Sequence, residues 1–208
     1  DNVGSLRLSF EFIPDYRLFV EGALNQRECD QAVDDAGFRR DSDGYRMIAG
    51  TDFELTSLVT GDIFAGFAAQ DYSEDPRFGK VDTVVYGSNL LWDATPLTSL
   101  RLNVDKSIQD SVAPNVSSYI ATIYKLELQH ELRRNVLVGT DVQYRNYDYE
   151  GFNIGREDHL YEAGVGGRYL VGRNVTLGAE YRYFTRDTNA PVSDFVQNTV
   201  TTSIGFRF

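Results

Sequence analysis

The stretch Asn198 to Phe208, NTVTTSIGFRF, decides the fold. Counted back from Phe208, Phe206, Ile204, Thr202 and Val200 fall on one side of an extended strand, and Arg207, Gly205, Ser203 and Thr201 on the other. One side is apolar and aromatic, the other polar or small. A sheet built on this alternation must repeat it along the rest of the chain.

It does. From Leu6 to Phe12, Leu6, Leu8, Phe10 and Phe12 alternate with Arg7, Ser9 and Glu11. Arg17 to Arg27 sets Leu18, Val20 and Leu24 against Glu21, Ala23, Asn25 and Arg27. Met47, Phe53 and Leu55 oppose Arg46, Asp52 and Glu54, and a turn around Ser57 to Asp62 leads to Ile63, Ala65, Phe67 and Ala69. Val84 to Trp92, Leu100 to Val104, Ile120 to Leu128, Val136 to Tyr144, Tyr161 to Tyr169 and Val175 to Tyr183 alternate in the same way. Ile13-Pro14-Asp15-Tyr16, Thr95-Pro96-Leu97-Thr98, Arg133-Arg134-Asn135 and Gly172-Arg173-Asn174 read as short turns; in the first, Pro14 sets φ and Asp15 supplies a side-chain acceptor. Between them lie long polar connections at Glu28 to Gly44, Ser73 to Asp82, Gln109 to Ser117, Asp148 to Asp158 and Asp187 to Gln197.

Strands of roughly 9 to 11 residues, joined alternately by short turns and long loops, match a tilted bilayer crossing. A soluble sandwich gives no reason for such asymmetry. The sequence therefore predicts an all-β, antiparallel, up-and-down transmembrane β-barrel. Tyr16, Tyr45, Tyr119, Tyr147, Tyr161 and Tyr183 sit near strand ends, where an aromatic girdle belongs.

Composition agrees. Thirteen Tyr, thirteen Phe and eighteen Gly among 208 residues suit strands. A net charge of -11 disfavours nucleic acid, because no basic surplus exists to neutralise phosphates. No apolar run approaches the ~20 residues of a membrane helix. Cys29 is the single cysteine, so an intramolecular disulfide is excluded.

About eleven strands are visible, whereas single-chain bacterial barrels close with an even number. The first strand then runs from outside to inside. The expectation is that residues 1–208 form one outer-membrane barrel domain lacking upstream strands, the C-terminal part of a barrel of about 12 to 18 strands. The competing explanation is one miscounted strand within Glu28 to Gly44.

The C-terminal stretch resembles the last strand of bacterial outer-membrane barrels, which the barrel-assembly machinery reads as a terminal aromatic preceded by alternating apolar residues. Phe208, Phe206 and Ile204 would be that signal. The units DSDGYRMIAGTDFELTSLVTGDIFAGF, DTVVYGSNLLWDATPLTSLRLNVDKS and HLYEAGVGGRYLVGRNVTLGAEYRYFTRD resemble the hairpins of the type 2 outer-membrane β-barrel porin family. That resemblance implies a bacterial outer-membrane location, contact with lipid and lipopolysaccharide, no cofactor, and an association with exopolysaccharide export and its periplasmic proteins.

With the apolar side toward lipid, the expected pore-lining residues are Arg46, Asp52, Glu54, Arg101, Asp105, Lys125, Glu127, Asp141, Arg145, Glu162, Arg168, Glu180 and Arg182. Arg7, Glu11, Glu21, Arg27, Asp93 and Arg186 share their side. Unpaired charges in a dry core cost several kcal/mol each, so the interior must hold water or dense ion pairs. The function expected is a water-filled pore for passive diffusion or exopolysaccharide export. The alternative is a plugged scaffold barrel, and a remote one is an outer-membrane hydrolase using His159 beside Glu157 and Asp158. His130 falls on the lipid side, an unpromising place for a base. The expectation is no enzyme.

Asp30, Asp34, Asp35, Asp41 and Asp43 form an acidic loop whose Asp41-Ser42-Asp43-Gly44 opens like a calcium loop but lacks the terminal Glu, so it reads as an ordinary acidic turn. Gly164 to Gly167 has no following helix and reads as small residues packing inside a barrel rather than a nucleotide loop. No metal site is expected.

Overall fold

The computed structural model describes residues 2–29, 33–34, 37–152, 154–190 and 194–207. Eleven strands follow one another: β1 (Asn2–Ile13), β2 (Tyr16–Arg27), β3 (Ser42–Thr56), β4 (Val59–Asp71), β5 (Lys80–Thr95), β6 (Thr98–Asp110), β7 (Val116–Arg133), β8 (Val136–Gly151), β9 (Glu157–Val171), β10 (Val175–Thr188) and β11 (Phe195–Phe206). They form one antiparallel sheet in chain order, each bonded to its sequence neighbours.

Pro14 and Asp15 close β1–β2, with Asp15 in the left-handed region at φ 72°, and Gly172 takes the same φ between β9 and β10. The strands are longer than a bilayer crossing needs, from 12 residues in β1 to 18 in β7. Their ends continue into stretches that read as loop: β8 runs on to Gly151, and β9 begins at Glu157. Ladder hydrogen bonds satisfy polar backbone there as well as turns would. The Ser57 to Asp62 turn likewise contracts to Ser57 and Leu58.

The register puts the charged rows on one face: Arg7 opposite Glu21, Arg101 opposite Glu127, Glu127 opposite Asp141. That face is concave. Arg7 reaches Asp52 across β2 at 2.9 Å, and Arg182 reaches Asp141 across β9 at 3.1 Å. Arg27 of β2 pairs with Asp110 of β6, across three intervening strands. Such reach is possible only where a sheet curls toward the side chains. The opposite, convex face carries the exposed Leu6, Leu8, Phe10, Met47, Phe67, Val165, Val200 and Ile204.

One hairpin leaves this wall. Pairing of β5 with β6 stops at Tyr86 and Lys106, while β4 with β5 continues to Asp71 and Lys80, and β6 with β7 to Asp110 and Ser118. Past that split, Ile108, which shares its side of β6 with lipid-facing Val104, packs against inner-face Phe19, Ile48, Ala68 and Val85. Ile120, expected on the lipid side, packs instead with Phe38, Tyr72, Phe78 and Val81. The end of the β6–β7 hairpin therefore lies on the inner side of β2–β5, and its apolar side chains meet the wall rather than lipid.

Close backbone approach leaves no room for a side chain at Gly66. A Cβ at Gly66 would stand 1.9 Å from the Met47 carbonyl oxygen and 2.7 Å from Ile48 Cα, both backbone atoms that cannot swing aside. Gly66→Ala is expected to destabilise the β3–β4 wall by about 1–3 kcal/mol, read as a lowered urea midpoint of the protein folded in lipid vesicles.

Candidate functional site

The inner face is the candidate site, and three groups of charges lie along it below the long-loop end. At β1–β3, Arg7 binds Asp52 through 2.9 Å contacts and lies 3.6 Å above the Phe19 ring, while Glu21 lies 3.8 Å from Arg7 and 3.4 Å from Arg46. The guanidinium of Arg46 sits 5.0 Å over Phe64. At β6–β7, Lys125 pairs with Glu127 at 3.0 Å and Arg101 approaches the same carboxylate at 4.0 Å. At β8–β10, Arg182 is held by Asp141 at 3.1 Å, by Glu180 at 2.5 Å and by Glu162, which also receives Arg145 at 2.8 Å.

All thirteen expected lining residues fall on this face by register. Ten of them join the ion pairs just described: Arg46, Asp52, Arg101, Lys125, Glu127, Asp141, Arg145, Glu162, Glu180 and Arg182. Asp105 instead accepts from the Ser107 hydroxyl at 2.7 Å. Glu54 stands at the short-turn end, its N–H bonded to the Asp15 carbonyl at 2.8 Å. Arg168 makes no ion pair among the described residues and is exposed beside Gly166 and Gly178.

Near the long-loop end of β9, Asp158 is buried and gathers three donors. Arg156 reaches it at 2.8 Å, Arg186 at 2.5 Å and the Tyr149 hydroxyl at 3.0 Å. Tyr119 and Tyr147, expected in the girdle, face inward here; Tyr119 packs 5.0 Å from Tyr147 and 5.4 Å from Tyr149. Their parity with Ile123 and Arg145 decides this, which proximity to a strand end could not. Tyr16, Tyr45, Tyr161 and Tyr183 are on the convex face as expected, and Tyr86, Tyr124 and Tyr144 join Tyr161 there, linked by a 2.8 Å bond between the Tyr86 and Tyr124 hydroxyls and rings 5.1–6.3 Å apart.

Over the inner face at the long-loop end sits a cluster of connections. Phe38 stacks on Phe78 at 5.2 Å, with the Arg77 guanidinium 3.9 Å above Phe38. Asp75 is buried and receives the Arg77 side chain at 2.5 Å and the Arg39 N–H at 3.0 Å. The Arg77 guanidinium bonded to Asp75 holds that carboxyl well below the usual carboxylate range. Burial, then the hydrogen bond to Asp110, pushes the Tyr72 hydroxyl well above its ordinary value.

The acidic loop is used to hold backbone. Asp34 accepts the Phe38 N–H at 2.9 Å and Arg40 Nε at 2.8 Å, and Asp41 accepts the Cys29 N–H at 2.8 Å. Asp30 and Asp35 lie outside the described residues, as does Phe208 of the assembly signal; Phe206 and Ile204 point outward and are exposed. His159 is on the convex face, bonded to the Tyr144 hydroxyl at 2.9 Å and 3.7 Å from Glu157. His130 bonds the Thr98 hydroxyl at 2.8 Å. Gly164 and Gly166 lie on the inner face and Gly167 on the outer.

Sequence reading passed over the inward Phe19, Ile48, Phe64 and Val85. They break the polar parity of their own strands, so the signal was present as apolar residues on both sides of β2–β5.

The family described as Putative beta-barrel porin 2 matches residues 2–208. Among solved structures, the outer membrane channel DcaP of Acinetobacter baumannii is similar at 12% identity and a TM-score of 0.61, covering 98% of this chain and 62% of that one. This chain thus spans less than two thirds of DcaP, and the likeness concerns the fold. The NanC porin is similar at 13% identity and a TM-score of 0.46, covering 99% of this chain and 93% of that one. The Pseudomonas putida toluene transporter TodX is similar at 13% identity and a TM-score of 0.39, covering 98% and 73%. No curated protein matches the sequence.

Proposed function

From the premise that this chain belongs to the β-barrel porin 2 family and resides in the bacterial outer membrane, we propose that it is a passive, non-catalytic pore for small hydrophilic solutes. The observation that carries this is the inner face of β7–β11. Its Lys125, Glu127, Asp141, Glu162, Glu180 and Arg182 are partly open to solvent rather than packed beneath another layer, and Thr201 and Ser203 are exposed beside them. Charges so placed need water. The mixture of signs favours weak ion selectivity.

In planar bilayers the protein should give stable conductance steps with a reversal potential near zero in a salt gradient. Arg182→Gln removes the cation shared by Asp141, Glu162 and Glu180 and should shift the reversal potential toward cation selectivity. A folded protein that passes no current refutes the pore; an unshifted potential refutes the role of Arg182.

An exopolysaccharide duct is the second reading, favoured by the inward rings of Tyr119, Tyr147 and Tyr149, flat surfaces on which sugar rings stack. Oligosaccharides that block the current at low concentration would select it over general diffusion.

β1 and β11 both run from the long-loop end to the short-turn end, and each is bonded on one side only among the described residues. An antiparallel closure therefore takes an odd number of further strands. On this proposal, the mature protein extracted from the outer membrane has a mass above 23.5 kDa; a mass equal to it would mean that β1 and β11 meet in parallel or the sheet stays open.

A further inference from the structure

Any solute entering from the long-loop end meets the displaced β6–β7 hairpin. Its end rests on Phe19, Ile48, Ala68 and Val85, an apolar patch that water would otherwise wet. Two polar contacts fasten it. Asp110 receives Arg27 from the β2 wall and the Tyr72 hydroxyl at 2.6 Å. Arg40, with its side chain only 11% exposed, donates to the carbonyls of Ser111 at 2.8 Å and Ala113 at 3.0 Å in the β6–β7 connection and to that of Val116, the first residue of β7, while its Nε holds Asp34. A planar guanidinium can serve several acceptors at fixed angles, which a lysine ammonium cannot. Arg40 is itself braced, because the neighbouring Phe38 is stacked on Phe78 and the Gly37 carbonyl accepts from Arg77.

We infer that the β6–β7 hairpin is a fixed internal constriction, and that Arg40 is the positioning residue that sets the largest solute the pore admits. The inference rests on the pore reading above. A mobile lid would carry polar surface on its underside; this hairpin presents Ile108 and Ile120 to apolar partners and stays down. Among the described strands this leaves the side of β7–β11 open, whose polar wall suits small hydrophilic solutes.

The test uses the full-length protein in a Cys29→Ser background, in planar bilayers with polyethylene glycols of graded mass. Arg40→Ala should raise single-channel conductance and the mass at which the polymer is excluded, with Arg40→Lys intermediate. A second readout does not need current. Ala68 lies beneath the hairpin, so the thiol of Ala68→Cys should react slowly with a charged, membrane-impermeant reagent, and about tenfold faster when Arg40→Ala is added. Arg27→Gln, which removes the Asp110 contact, should move both readouts the same way and serves if Arg40→Ala does not fold. Current in the parent protein with an unchanged polymer cut-off and thiol rate in both variants overturns the constriction and leaves the pore standing. No current in the parent protein overturns the pore, and the constriction with it.

Discussion

Val165→Arg should destabilise the folded protein in a bilayer by about 2–4 kcal/mol, the cost of a cation near the membrane midplane. Val165 lies in β9 four residues from Tyr161 and four from Tyr169, with Thr140 and Tyr181 as its cross-strand neighbours on the convex face. It is 56% exposed. For a protein in water, such exposure would make the substitution nearly neutral. The expected loss exists only because the exposed face meets acyl chains, which supply no partner for a guanidinium. Gln143→Arg is the control: it lies on the concave face opposite Glu162, where an added cation gains a carboxylate neighbour. Urea titrations of the two variants refolded into lipid vesicles should separate them clearly. Equal midpoints would mean that neither face meets lipid, and a lower midpoint for Gln143→Arg would mean that the two faces are exchanged.

Asp158→Ala should cost about 3–5 kcal/mol, the range for removing one partner of a buried ion pair. The Asp158 side chain is 1% exposed, and its loss strands Arg156 and Arg186 without their carboxylate and the Tyr149 hydroxyl without its acceptor. Arg186 Nε is already buried without a partner, so this guanidinium has little water to fall back on. Because Arg156 and Tyr149 lie before β9 and Arg186 lies in β10, the carboxylate ties β8, β9 and the β8–β9 connection to β10. Asp158→Asn keeps acceptor oxygen and shape and should lose less. A lowered urea midpoint, together with new protease cleavage between Phe152 and Glu157, would report the loosened end. An unchanged midpoint would show that water reaches these arginines after all.

Much of this architecture was written in local pattern. Period-2 alternation assigned strands, Pro14-Asp15 and Gly172 assigned turns, and the parity of Arg46, Asp141 and Arg182 assigned a common face. These are properties of neighbouring residues, since successive side chains of an extended backbone point to opposite sides. The same logic misplaced strand ends, because polar residues suit a β-ribbon standing above the lipid as well as they suit a loop.

Amino-acid order by itself determined that this chain is a set of antiparallel strands with one oily and one ionic side, joined by turns of alternating length. Tertiary structure alone decided what covers each side. Ile108 and Ile120 keep the parity of lipid-facing residues, yet they end against Phe19, Val81 and Phe78 because the β6–β7 hairpin leaves the wall and lies within the curl. Likewise Arg27 finds Asp110, and Arg40 finds Ser111 and Ala113, only once strands far apart in sequence are brought face to face. Alternation states which way a side chain points from its own strand; what it meets there depends on the curvature of the whole sheet.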